Sequence, residues 1–216
     1  MRHIFTTTLI LLLAGLFSAS QGMAATAIGT VIGVQGAATA MDGGGTRTLE
    51  MTSQVYVADT ILTGPGSKVQ ILFNDDTILA QGPESESTLT EYAYLAGDQA
   101  DSQFMLDMAE GTFRIITGKI VEDNDQGFRM QTPLAVIGIR GTMTGHLVQA
   151  GKEHHYSLDL EGKHTVDIST RFDSSYESLT QDFQAVDIIP GVPVPGVPVP
   201  SVPVPRVPVP SVTAPS

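Results

Sequence analysis

Between residues 25 and 189, apolar residues recur at every second position in short runs broken by Gly, Asn and Asp. No window carries the 3.6-residue stripe that a helix of three turns needs to cover a core. The most helix-like stretch, Asp173 to Asp182, is short and polar. This body is therefore restricted to strands. Lys68 to Phe73 alternates, Asn74-Asp75-Asp76 turns, and Thr77 to Ala80 returns, which is a hairpin signature. Gly43-Gly44-Gly45 reads as another hairpin tip. Gln103 to Met108 and Thr112 to Ile116 read as two strands around Glu110-Gly111. Tyr156 to Leu160 and Lys163 to Ile168 read as two more around Glu161-Gly162. The last strand falls at Phe183 to Ile189. The tally is about 12 short strands, with turns roughly every 8–12 residues, as in a sandwich or barrel.

One segment, Leu134-Ala-Val-Ile-Gly-Ile139, is apolar on both faces and predicts a central buried strand. Pro133 fits at its first position, where a missing amide donor costs least.

The two ends have other compositions. Arg2 and His3 precede an apolar stretch from Leu9 to Phe17, followed by small residues including Gly22, Ala24 and Ala27. The stretch is far short of the roughly 20 residues needed to span a bilayer. It predicts a signal peptide over residues 1–24, cleaved near Ala24, and a chain that is not a transmembrane protein. At the other end, 10 of the 13 prolines lie from Pro190 onward. Residues 191–210 read GVPVP, GVPVP, SVPVP, RVPVP. Proline has no amide donor and pushes its predecessor to extended geometry. The expectation for residues 190–216 is a disordered polyproline II tail that forms no ladder. The body, residues 25–189, is then one β-domain.

With 23 acidic against 11 basic residues, the formal charge is −12. Phosphate binding needs the opposite surplus, so nucleic acid is not an expected partner. The chain has no Cys, which removes disulfides, thiolate metal sites and a Cys nucleophile. His146, His154 and His164 would form an imidazole cluster only if they shared a face, and the adjacent His154 and His155 point to opposite faces of a strand. Solvent-exposed strand histidines are the expectation. Glu122 to Gly127 lacks the ligand pattern of a calcium loop and reads as a solvated turn. Asp75-Asp76 sits in a tight turn and cannot flank a sugar from two faces. No Gly-x-Ser-x-Gly elbow and no phosphate-cradling glycine loop is present. No catalytic residue, metal ligand or cofactor is expected.

The run Thr132-Pro-Leu-Ala-Val-Ile-Gly-Ile-Arg-Gly-Thr142 resembles the signature of the FecR domain, an extracytoplasmic β-domain. Gly29-Thr-Val31 with Gly36, Asp59 to Ser67, Phe73 to Thr77 and Glu161-Gly162 resemble its other pieces in order. The resemblance spans most of residues 28 to 170. It departs at Asp76, where the turn usually carries Gly, and at Thr144, where an aromatic is common. It implies an all-β, jelly-roll-like β-sandwich. It marks Thr132, Pro133, Gly138, Arg140, Gly141 and Thr142 as the structural motif. The best-known members are iron-transport regulators that sense an outer-membrane receptor and control a sigma factor, with a cytoplasmic domain and a membrane helix ahead of the β-domain. Here the segment ahead reads as a signal peptide, so the expectation is a stand-alone module.

Together these readings describe a periplasmic or secreted, non-catalytic interaction module of the cell envelope, with envelope signalling as a candidate role, whose partner is another envelope protein. The alternative is an envelope or extracellular glycan-binding β-sandwich, with Tyr92, Tyr94 and Tyr156 supplying stacking faces in a chain without Trp. Arg140 ends the most apolar strand. Its guanidinium is expected to be buried against backbone carbonyls and one of Asp59, Asp107 or Glu161, with about 2–4 kcal/mol lost in Arg140→Ala.

Overall fold

The computed structural model describes residues 25–95, 98–124, 126–160, 164–173, 175–192 and 199–200. The signal peptide expected at 1–24, the Glu161-Gly162 turn and residues 193–198 and 201–216 of the expected tail lie outside these residues. The strands are β1 Gly29–Gln35, β2 Ala38–Asp42, β3 Gly45–Thr48, β4 Gln54–Val55, β5 Thr60–Thr63, β6 Lys68–Phe73, β7 Ile78–Gln81, β8 Glu86–Leu95, β9 Asp98–Ile116, β10 Phe128–Gln131, β11 Ala135–Ile139, β12 Met143–Gln149, β13 Lys152–Asp159, β14 Val166–Thr170, β15 Tyr176–Leu179, β16 Gln184–Ile188 and β17 Val199–Pro200. A single helical turn, α1 Ile120–Asp123, lies between β9 and β10.

The strands form two sheets. The first runs β4-β1-β6-β7-β9-β12-β13-β16-β17. The second runs β3-β2-β5-β8-β9-β10-β11-β14-β15. Both contain β9, which joins them into one 17-stranded hydrogen-bonded system. Every pairing is antiparallel except β9 with β10. That parallel step is bridged by α1, whose Ile120 and Val121 are buried.

The sheets meet over a single apolar core. Phe73 of the first sheet lies edge-on to Phe104 of the second, with ring centroids 4.6 Å apart. Phe104 in turn meets Phe128 at 4.9 Å. Full burial of a side chain this size contributes about 1.5–3 kcal/mol, and the edge-on geometry adds about 0.5–1.5 kcal/mol per pair.

The all-β expectation holds, with 17 strands among the described residues where about 12 were expected. The hairpins β2–β3 and β6–β7 form as read, and Asp76 takes the left-handed turn position at φ +69°. Glu110-Gly111 is not a turn. It lies inside the 19-residue strand β9. Up to Glu110 this strand pairs with β8 and β10; from Gly111 it pairs with β12, and from Phe113 also with β7. Ser87 faces Met108 and Glu86 faces Glu110, so Ala109 is an extra residue. This bulge shifts the inward phase from Phe104, Leu106 and Met108 to Phe113 and Ile115. β13 and β14 are likewise no hairpin, because they lie in different sheets. A turn signal between two alternating runs is common to a hairpin and to a crossing between facing sheets.

The strand at 134–139 is central in its sheet, but only one face is buried. Ala135, Ile137 and Ile139 are inside, and Val136 and Gly138 lie on the half-exposed outer face. The expectation that the tail forms no ladder is also corrected. Val199 and Pro200 pair with Ala185 and Gln184. Valine keeps its donor, and an edge strand tolerates proline where the nitrogen faces outward.

Gly111 sits at φ +118°, and a Cβ there would lie 2.0 Å from Ser85 Oγ and 2.5 Å from Ser85 Cα. Gly111→Ala is expected to cost at least about 1–3 kcal/mol in urea unfolding, since backbone strain and a backbone collision coincide. Gly138→Ala, where a Cβ meets nothing within 4 Å, is the control and is expected to change stability by less than about 1 kcal/mol.

Candidate functional site

The signature run 132–142 is placed by β10, β11 and the start of β12, and both its ends are tied to strands of the first sheet. Ala135 N–H donates to Thr132 Oγ1 at 2.9 Å, closing the turn around Pro133. The Thr132 hydroxyl donates to Glu153 Oε2 at 2.5 Å, and Leu134 N–H donates to Glu153 Oε1 at 2.9 Å. Glu153 belongs to β13, in the other sheet, and is fully buried. A carboxylate out of water is tolerated only where its lone pairs are taken up, and this one has a third donor in His155.

His155 Nε2 lies 3.1 Å from Glu153 Oε2. His155 Nδ1 lies 3.1 Å from His146 Nδ1, and His146 Nε2 lies 2.9 Å from Thr144 Oγ1. One proton arrangement satisfies every contact with both rings neutral. Thr144 donates to His146, His146 Nδ1–H donates to His155, and His155 Nε2–H donates to Glu153. All five members are at most 3 % exposed. Burial, followed by the neighbouring His155 and His154, pushes His146 well below the ordinary imidazole range. The expectation of solvent-exposed histidines is therefore wrong for His146 and His155. The cause lies in β12 and β13, whose inner faces carry polar side chains.

His154 does point outward, to Asp187 Oδ1 at 2.6 Å, as the opposite-face rule requires. The His146–His154–His164 face does not exist, because His146 is buried inside, His154 points outward and His164 packs against Gly141. Among the described residues no group of three or more His, Asp or Glu is placed to hold a metal ion.

At the other end of the run, Gly141 has φ +73°, and a Cβ there would lie 2.8 Å from the His164 ring. Thr142 N–H donates to Thr117 Oγ1 at 2.8 Å, Thr117 N–H returns a bond to Thr142 O at 3.1 Å, and the Thr142 hydroxyl donates to Asp159 O. These bonds join the ends of β9 and β13 to the start of β12. They frame a cleft of about 280 Å³ bordered by Gly118, Glu122, Thr142, Asp159 and His164.

Arg140 does not have the environment expected of it. Its side chain is 43 % exposed, and Nε meets Asp167 Oδ2 at 3.3 Å on the outer face. Arg140 follows Ile139, which points inward, so alternation turns it out. An exposed pair of this kind contributes about 0–1 kcal/mol, less than the loss expected from a buried guanidinium. Asp59 is taken instead by Arg47, with Nη1 at 2.8 Å from Oδ1 and Nη2 on Oδ2. That bond, the largest influence, raises the Arg47 pKa further. Glu161 lies outside the described residues.

Asp75 and Asp76 part company. Asp75 is buried and accepts from Thr77 Oγ1 at 2.6 Å and Tyr92 OH at 3.1 Å, whereas Asp76 is exposed and pairs with Lys119. Burial foremost, and Asp75 next, push the Tyr92 hydroxyl far up. In the Glu122–Gly127 segment, Asn124 turns its side chain onto Ser102 O and Gln126 N–H. The tyrosines do not converge. Tyr92 stacks on Phe73, Tyr156 covers Gly145 in the other sheet, and Tyr94 packs against the core.

Two variants test the buried chain. Thr132→Val leaves Glu153 and Ala135 N–H each short of a partner, and a loss of about 1–3 kcal/mol is expected in chemical denaturation. For His146, both folded and unfolded states are neutral above about pH 6.5. Below that, the unfolded chain takes up a proton that the folded site resists. Stability is therefore expected to fall as pH drops from 7 toward 5, and to fall less in His146→Gln. Urea midpoints at the two pH values check this.

The family model described as "FecR protein" matches residues 59–163. Among curated proteins none matches the chain. A solved structure described as a cell surface anchoring domain is similar at 31 % identity and TM-score 0.27, covering 28 % of this chain and 82 % of that one. Two structures of a suspected anti-sigma factor from Parabacteroides distasonis ATCC 8503 are similar at 12 % identity and TM-score 0.48, covering 66 % of this chain and 59 % of theirs. The matched interval holds β5 to β13. It comprises five adjacent strands of each sheet, centred on β9, with two further strands on either flank. Residues 59–163 of this chain are a FecR domain.

Proposed function

We propose that this chain is an exported, non-catalytic interaction module of the cell envelope that contacts another envelope protein in signalling. The observation that carries the reading is the FecR match over the central strip of both sheets. FecR domains of regulators are extracytoplasmic and act through protein contacts. Two features of this chain support the same reading. Its signature run keeps Thr132 and Thr142 for internal bonds and turns Val136, Gly138 and Arg140 to the open face of β11. Among the described residues, no helix is long and apolar enough to cross a membrane.

Export is tested by N-terminal sequencing of the envelope-fraction protein. It should begin between Ala25 and Ile28, and an intact Met1 in the membrane fraction would refute it. Contact is tested with a photo-crosslinking residue at position 138, where a side chain has room. A discrete protein adduct is expected in intact cells, and it should disappear in Arg140→Glu. Crosslinking only to saccharide would favour the glycan-binding alternative.

A further inference from the structure

After β16 the chain reverses. Val192 N–H donates to Ile189 O at 3.0 Å, and Gly191 takes φ +79° behind Pro190. Proline followed by a glycine of positive φ is the sequence of a type II turn. Farther along the chain, Val199 and Pro200 lie opposite Ala185 and Gln184 on the outer edge of β16. That edge is flanked by an unusual residue. Phe183 has φ +61° and is 57 % exposed, a conformation that costs about 1–3 kcal/mol in a bulky side chain. Its loop is braced against relaxing. Gln184 Oε1 accepts from Thr180 and Gln181 N–H at 2.7 and 3.0 Å, and Phe183 N–H donates to Ser157 O at 3.1 Å. Sheet edges take up extended segments through main-chain bonds, and aromatic side chains are the surfaces that proline-rich segments favour.

We infer that the edge of β16 with Phe183 is a docking slot for one Val-Pro unit of this chain's own tail. The chemistry of the repeat suits one side of one strand. In extended backbone, alternate residues present their amides to the same side. Proline is tolerated only where its nitrogen faces away from the ladder. A Val-Pro-Val-Pro strand thus turns every valine donor toward β16 and leaves its outer edge without donors. The five-residue repeat limits the strand's length. Valines 197 and 199 share a parity, whereas 192, 194, 202 and 204 have the opposite one. Continuing past a single unit would turn a proline nitrogen into the ladder. Each docked strand is therefore short, the four units compete for the one slot, and a further strand would meet acceptors but no donors on its outer edge.

This goes beyond the proposed function and does not depend on it. The test is amide exchange by NMR on the full mature chain, read at the amides of Gln184–Ile188 that are not donated to β13. At least tenfold protection over the unstructured rate is expected there. It should be lost in Gly191→Val, which breaks the turn, and in a chain whose repeats are replaced by Gly-Ser of equal length. Amides shared by β13 and β16 should keep their protection in both variants, which shows that the fold is intact. Equal protection with and without the repeats would overturn the inference. So would protection that rises with protein concentration, because the strand would then come from a second copy.

Discussion

A two-sheet sandwich must keep its layers in register, and here that constraint is met by one covalent element. β9 serves the second sheet up to Glu110 and the first from Gly111. Because the inward side of a strand alternates residue by residue, passing between sheets requires the phase to be reset. Ala109 supplies the extra residue, and Gly111 takes the backbone angle and the close approach to Ser85 that the bend demands. Everything else is placed relative to this strand. β1–β8 lie on one flank of it in both sheets, and β10–β17 lie on the other.

On the second flank the layers are also joined through polar groups. A buried carboxylate is a poor source of net stability, since its desolvation penalty offsets most of what its bonds return. What it supplies is position. Glu153 can satisfy its oxygens only if the Thr132 turn and the His155 ring arrive at fixed places, so the signature run is pinned to a strand of the opposite sheet. The ring-to-ring bond extends this to β12. Satisfied networks of this kind favour a single arrangement over near alternatives.

The sequence was most legible where neighbours in the chain are neighbours in space. The Asn74–Asp76 turn and its flanking strands could be read because alternation and turn chemistry are both local. The signature run was recognisable for the same reason. Reading broke down where the answer depends on a distant partner. Tyr156 and Leu158 suggest an apolar inner face, yet within β13 Glu153, His155 and Ser157 are the residues at zero exposure. Alternation reports that a strand has two faces and leaves open which one is covered. Arg140 shows the same limit. Its outward direction follows from Ile139, but Asp167 becomes its neighbour only through the β11–β14 pairing. Glu110-Gly111 carried a true signal of broken alternation, which a bulge and a turn share.

The strand order has a consequence for assembly. Past β9, each new strand of either sheet lies directly outside the previous one: β12, β13, β16 and β17 in one layer, β10, β11, β14 and β15 in the other. No late strand has to be wedged between two that are already paired. Chains that grow by such stepwise accretion, like stacked-repeat proteins, can consolidate in the order in which they are delivered. They also have an open growth front at all times, and that front would accept any passing strand as readily as the proper one. A final segment whose outer edge carries no donors is a chemical terminator for such growth. It leaves that one edge a poorer template for the process that built it.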